Sequence, residues 1–155
     1  MAEPVRLSLG EAETLARQAL VSNRTSAESA GPTARALVAA EADGQAGHGL
    51  SRVPSYAIQA RAGKVNGFAT PAVERVAGAA LRVDAALGFA YPAIELAIDA
   101  LVPLTRENGI AVAAIHRSHH FGQAGAHAER RAERGLLALV LANSPKAMAF
   151  WGGRK

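Results

Sequence analysis

The chain has 155 residues, half of them apolar, with a formal charge of +4 and no cysteine. That length suits one ordinary domain or part of a larger one, and the missing cysteine excludes disulfides and thiolate chemistry. It also agrees with a reducing cytoplasm, where we expect the protein to reside.

No apolar run approaches ~18 residues, so no membrane-spanning helix is predicted, and the segment from Met1 to Arg6 lacks the apolar core of a signal peptide. Arg130, Arg131 and Arg134 alternate with Glu129 and Glu133. Such a mixed cluster is a solvated helix face, not a basic stripe for nucleic acid.

The first sixty residues predict helices. Ser8 and Glu11 have the spacing of a capping box, and Ala12, Leu15, Ala16, Ala19 and Leu20 recur at helical period behind them. A second helix is predicted over 34–42, because Gly31-Pro32 interrupts the pattern before it. A third is predicted over 53–62, with Pro54 in its first turn and Gly63 ending it. Asn66-Gly67 marks a turn.

The period then changes. Residues 73–76 and 80–84 predict short strands around Gly78, with Leu81 and Val83 on one side. A long helix over 92–107 follows, with Ile94, Ala97, Ile98, Leu101 and Leu104 as its apolar stripe. Asn108-Gly109 closes it, and Pro103 falls where a kink is expected. A strand over 110–115, a loop, a helix over 124–134 and a strand over 136–142 complete the pattern. This strand–helix–strand unit predicts that the strands over 110–115 and 136–142 lie parallel and adjacent. The result is an α+β (mixed α/β) chain, with N-terminal helices followed by a mixed sheet with crossover helices. So small a sheet leaves edges and one face uncovered, so we expect a piece of a larger fold.

Two segments carry chemistry. The loop Ile115-His116-Arg117-Ser118-His119-His120-Phe121-Gly122-Gln123-Ala124-Gly125 holds three of the five histidines. It lies between a strand and a helix, where backbone N–H groups and a helix dipole can meet an anion. The bland alternative is a plain strand-to-helix turn. A zinc site on His116, His119 and His120 is disfavoured by Arg117 and by the lack of nearby carboxylates. Gly122-Gln123-Ala124-Gly125 is not the dinucleotide glycine pattern of a Rossmann fold. The second segment is Gly47-His48-Gly49-Leu50-Ser51-Arg52. An unperturbed imidazole titrates near ~6.5 and can exchange a proton near neutrality. An arginine fork suits a carboxylate. If 48–53 begins a helix, the four-residue spacing puts His48 and Arg52 on one face. The bland alternative is a surface histidine and a solvated arginine.

Together the two segments resemble the type-2 malate/L-lactate dehydrogenase family. The resemblance rests on Gly47-His48-Gly49-Leu50-Ser51-Arg52-Val53-Pro54-Ser55-Tyr56 followed by Gly63-Lys64-Val65-Asn66-Gly67. It rests also on Ser118-His119-His120-Phe121-Gly122 followed by Gly135, Asn143-Ser144 and Trp151-Gly152-Gly153. The family includes malate, sulfolactate and ureidoglycolate dehydrogenases and Δ1-piperideine-2-carboxylate/Δ1-pyrroline-2-carboxylate reductases.

The resemblance implies a non-Rossmann NAD(P)-binding fold, incomplete in this chain. It implies hydride transfer between NADPH or NADH and C2 of a small 2-oxo, 2-hydroxy or cyclic 2-imino acid. His48 matches the family's acid/base histidine and Arg52 its substrate-carboxylate arginine. His120, Phe121, Gly122, Gln123 and Ala124 match a cofactor-contacting loop, and no metal is implied. Residues 1–68 then form a helical segment carrying the catalytic histidine, and 69–155 the first part of the cofactor-binding sheet domain.

Two departures stand out. The family often has a serine before the histidine, where this chain has Gly47. Its members are also roughly twice this length. The resemblance therefore implies a C-terminal half, expected as a separate chain, and a homodimer of the whole. Val83-Asp84-Ala85, the stretch 88–93 and the stretch 150–155 lean toward the cyclic-imine reductases. A non-catalytic half-length module of the same fold is the alternative.

Overall fold

The computed structural model describes residues 5–143. Ser144 and Trp151-Gly152-Gly153 of the resemblance lie outside the described residues.

Helix α1 (Leu9–Val21) starts at a complete capping box: the Ser8 hydroxyl accepts from Glu11 N, and the Glu11 carboxylate accepts from Ser8 N at 2.8 Å. Ala12, Ala16 and Leu20 are its buried face. Leu15, expected inward, is exposed.

Helix α2 runs over Ala27–Ala42, starting seven residues before the predicted point. The Ser26 hydroxyl caps it by accepting from Ser29 N. Pro32 lies within its second turn and withdraws one N–H from the carbonyl of Glu28, four residues back. Glu28 is exposed, so water can take that bond, and the helix passes through the proline.

Two short 3₁₀ turns, Ala46–His48 and Leu50–Arg52, lead into α3 (Val53–Arg61). The segment 48–52 is thus not α-helical, which corrects the one-face geometry expected for His48 and Arg52. Both residues sit on 3₁₀ turns, and their relation is set by tertiary contacts instead.

Strands β1 (Ala72–Ala77) and β2 (Ala80–Asp84) form where the sequence pattern predicts short strands, and they pair as an antiparallel hairpin. Leu81 and Val83 are buried. Helix α4 (Ala90–Asn108) crosses over to β3 (Val112–His116), which pairs in parallel with β2. The sheet order is β1-β2-β3. Gly109 ends α4 in the left-handed conformation, and the helix continues through Pro103. Helix α5 (Ala124–Ala132) follows.

The predicted strand over 136–142 is not formed. The parallel pair is β2–β3, connected by α4, and not β3 with 136–142. Among the described residues no strand neighbours 136–142, and a strand needs a hydrogen-bonding partner. Leu137, Leu139 and Leu141 are accordingly each at least 90% exposed.

The main core cluster joins Leu20, Ala30, Leu37, Tyr56, Ala60, Val65, Phe89 and Tyr91. A second cluster packs Val83, Ala85, Ala93 and Ala97 between sheet and α4. The turn after α3 is pinned to the start of α2, where Ser26 N donates to Gly67 O at 3.0 Å. A Cβ at Gly67 would collide with Arg24 O and lie 2.8 Å from Thr25 Cα, both backbone atoms. Gly67→Ala is therefore expected to lower unfolding free energy by about 1–3 kcal/mol in denaturant titration. An unchanged midpoint would show that this turn yields freely.

Candidate active site

The site forms where the 3₁₀ turns after α2, helix α3, the start of α4 and the loop after β3 converge. The first turn is fixed from beneath. Glu41 on α2 turns its carboxylate to Leu50 N, which donates to it at 2.7 Å. Gly49 lies so close that a Cβ there would sit 3.0 Å from Glu41 Cα and collide with the carboxylate. This packing holds His48 half-buried, with its Nδ1 buried and without a hydrogen-bond partner among the described residues. Arg52 Nε donates to Gly47 O at 2.5 Å, folding the arginine back toward the turn that carries His48.

The loop after β3 is latched to the segment before α4 by three backbone bonds. Ala85 N donates to His116 O, Leu87 N to Arg117 O, and His119 N to Gly88 O. Ala86, Leu87 and Arg117 all have φ between 51° and 61°, an unfavourable region for residues with a Cβ. The Asp84 carboxylate supports both sides of this strained crossing: Ala86 N and Arg117 Nε each donate to its Oδ1. Those bonds to Ala86 and Arg117 hold the Asp84 carboxyl below the usual range, against a smaller effect of burial.

The three loop histidines diverge. His116 ends β3, exposed, opposite Asp84 in register. His119 turns inward: its Nε2 donates to Gln59 Oε1 at 3.1 Å, and its ring meets Tyr56 and Phe89 edge-on, with centroids 4.8 and 5.7 Å apart. Burial, with help from His120 and Lys64, pushes His119 down to about 4. His120 stacks on His48, with ring centroids 5.3 Å apart and planes 9° from parallel. Among the described residues, no three histidine, aspartate or glutamate side chains gather as a metal set.

His120 Nδ1 lies 2.9 Å from the Tyr56 hydroxyl and accepts from Gly122 N at 3.2 Å. The Tyr56 hydroxyl lies 3.3 Å from that of Tyr91. Burial raises both phenols above their ordinary range. Gly122 has φ +74°, and a Cβ there would come within 2.6 Å of the Tyr91 oxygen. Phe121 packs on Ala90, Ile94 and Ile98, and its carbonyl oxygen accepts from the buried His127 Nε2 at 2.8 Å. Gln123 Nε2 donates to Asp43 Oδ2 at 3.0 Å, while Gln123 Oε1 is buried without a partner among the described residues. Gln123 precedes α5, whose start has no side-chain cap; Ala124 is its exposed first residue.

The structure thus gathers His48, Arg52 and His120. Both His48 and Arg52 act on His120, which burial first, and then these two, holds below the ordinary histidine range. Sequence reasoning assigned no role to Tyr56, Tyr91, Glu41, Gln59 or His127. For Tyr56 a signal existed: it lies four residues after Arg52 in a helical stretch, so it faces the same way.

A family model described as malate/L-lactate dehydrogenase matches residues 7–155. The chain belongs to the malate/L-lactate dehydrogenase family. It is 52% identical over 149 residues to a (2R)-3-sulfolactate dehydrogenase (NADP(+)) of Chromohalobacter salexigens, covering 96% of this chain and 44% of that protein. It is 44% identical over 153 residues to a Δ1-pyrroline-2-carboxylate reductase of Ancylobacter novellus, covering 99% and 45%. The crystal structure of Δ1-piperideine-2-carboxylate reductase from Pseudomonas syringae matches with TM-score 0.82 at 38% identity, over 85% of this chain and 40% of that one. The chain spans less than half the length of these relatives. Its mixed helix-and-sheet architecture is that of the first part of the malate/L-lactate dehydrogenase fold.

The depressed titration of His119 carries a stability consequence. The unfolded chain takes up this proton near 6.5, whereas the folded chain resists until about 4. Acid therefore favours unfolding across that window, and the stability supplied by neutral His119 is lost as pH falls through it. Thermal melts from pH 7 to 4 are expected to fall less steeply for His119→Gln than for the unsubstituted protein. Parallel curves would place the acid sensitivity elsewhere.

Proposed function

We propose that this chain carries the substrate-side half of an NAD(P)H-dependent oxidoreductase. The reaction moves a hydride between nicotinamide and C2 of a small 2-oxo or 2-hydroxy acid or a cyclic 2-imino acid. The observation that carries this reading is the convergence of His48, Arg52 and His120 at one place. It joins a proton-exchanging group, a carboxylate-binding fork and a loop of the type that meets a cofactor.

Arg52 spends Nε on Gly47 O, and its terminal amino groups have no partner among the described residues. Those groups hold the substrate carboxylate by a charge-assisted fork. His48 then gives its proton to the oxygen or nitrogen on C2 during reduction, and takes it back during oxidation. The family's frequent serine is absent at Gly47, and in keeping with this His48 Nδ1 has no partner among the described residues. A Cβ at Gly47 would meet nothing within 4 Å, so there is room for a substrate or a solvent path beside it.

Gln123 supports the cofactor reading. Its buried, unpartnered Oε1 accepts a donor, and the uncapped start of α5 beside it suits an anionic group. His120, Phe121, Gly122, Gln123 and Ala124 would hold the nicotinamide cofactor there, NADPH or NADH; when bound, it supplies the hydride.

For the substrate we favour a cyclic imino acid such as Δ1-pyrroline-2-carboxylate. Val83-Asp84-Ala85 and the stretch 88–93 lean this way, and a relative 44% identical to this chain is a Δ1-pyrroline-2-carboxylate reductase. A sulfonate-bearing acid brings a second anionic charge. NADPH oxidation with the two cyclic imino acids, beside NADP⁺ reduction with 3-sulfolactate, decides between them. Faster turnover of sulfolactate would reverse this preference.

In the complete enzyme, with the rest of the family's length present, His48→Ala is expected to cut kcat by ~10²–10⁴-fold while cofactor binding survives. Arg52→Ala is expected to raise KM by ~10–100-fold, the loss of one charge-assisted pair. Unchanged kinetics for both would sink the assignment. We propose further that the whole enzyme is a homodimer. Native mass spectrometry of the complete enzyme tests this: a mass of two copies supports it, and a single-copy mass overturns it.

A further inference from the structure

The Tyr91–Tyr56–His120 chain has a direction, and that direction fixes a tautomer. Gly122 N is a backbone donor and can only donate, so His120 Nδ1 must accept from it. An accepting Nδ1 carries no proton. The Tyr56 hydroxyl, 2.9 Å from the same nitrogen, must therefore donate as well. Having given its only proton to His120, the Tyr56 oxygen is left to accept from the Tyr91 hydroxyl. The proton of neutral His120 then sits on Nε2, which has no hydrogen-bond partner among the described residues. This tautomer is assigned from the network of donors.

The surroundings reinforce the assignment. Among the described residues, the titratable and charged groups that bear on His120 are His48 and Arg52 on the 3₁₀ turns, Tyr56 on α3, Tyr91 on α4, and His119 in its own loop. None is an anion. A second proton on His120 would sit at Nδ1 and face the Gly122 N–H, turning that attractive contact into a repulsion, and it would require the Tyr56 hydroxyl to turn round and donate to Tyr91. It would also place a cation face-on to His48, at a centroid distance of 5.3 Å.

We propose that Tyr56, polarised by Tyr91, is a positioning residue that locks His120 as the neutral Nε2–H imidazole, so that the exchangeable acid/base proton of the stacked pair belongs to His48. This rests on the reading of His48 as the acid/base, and it adds the device that keeps its neighbour from competing. His120 acts as a fixed, uncharged donor and a flat surface beside His48. The buried phenols are suited to the task, because burial keeps their protons in place across the working pH range.

The test is long-range ¹H–¹⁵N NMR on the purified protein with ¹⁵N-labelled histidine, titrated from pH 8 to 5. His120 is expected to show the neutral Nε2–H pattern throughout most of that range. In Tyr56→Phe the ring is kept and the donor lost, so the midpoint of His120 is expected to rise by ~1 pH unit, with tautomers mixed. Tyr91→Phe keeps the Tyr56 bond but removes its polarising donor, and is expected to raise the midpoint by less. It carries the test if Tyr56→Phe does not fold. An Nδ1–H His120 in the unsubstituted protein, or a midpoint unmoved in the folded variants, overturns the proposal. This readout needs no turnover, so its failure is separable from a failure of the His48 and Arg52 kinetics. In the complete enzyme, Tyr56→Phe is further expected to move the acidic limb of the kcat profile while KM holds. A fall in kcat with an unmoved profile would mark Tyr56 as merely structural.

Discussion

The hydrogen bond between the Tyr56 hydroxyl and His120 Nδ1 joins the two layers of this molecule. The Tyr56 ring is 1% exposed, packed among residues of α1, α2 and α4. Its oxygen reaches the loop that follows the sheet. Without that loop the Tyr56 hydroxyl keeps only its longer contact with Tyr91, so the helices are most stable when the loop is in place. The dependence runs both ways, because His120 has its Nδ1 satisfied only against α3 and its own loop. His119 repeats the arrangement one residue earlier, with its ring against Tyr56 and Phe89 and its Nε2 on Gln59.

The rest of the loop is held by unlike devices. Backbone bonds tie it to the segment before α4, Phe121 anchors it in apolar packing, and His127 fixes the Phe121 carbonyl. Left-handed φ at Ala86, Leu87 and Arg117 is the cost of this crossing. The hydrogen bonds around Asp84 help to offset it. Gly122 is different: the close approach of Tyr91 leaves no space for a Cβ, and its φ suits glycine.

Much of the fold was legible because the chain's local signals agree with its tertiary fate. The capping box at Ser8 reports a helix start that the structure realises, and the stripe of α4, with Leu101 only half-buried, and the alternation of Leu81 and Val83 report burial. The start of α2 was illegible because Pro32 is a strong breaker by local rule, yet Glu28, the residue whose bond it forgoes, is exposed to water. The strand over 136–142 was misjudged for the opposite reason. Its alternating leucines are a strand pattern, but pairing depends on a neighbour that no local pattern supplies. At the site, His48, Arg52 and the 120–124 loop stood out by residue type and motif. Tyr56 and Tyr91 read as core aromatics, and they are. Their hydroxyls matter through contacts between residues 35 and 64 positions apart, which periodicity does not record.

Those separations bear on when the site comes into being. Helices α1 and α2 and the hairpin can form from contacts near in sequence. The stacked histidines cannot, because the chain between them must first be closed into a long loop, and that entropy is lost before any of the stacking is gained. The histidine pair is thus a product of docking and has no precursor in either layer alone. A chain caught with its helices formed but its layers apart would possess every residue of the site and none of its chemistry.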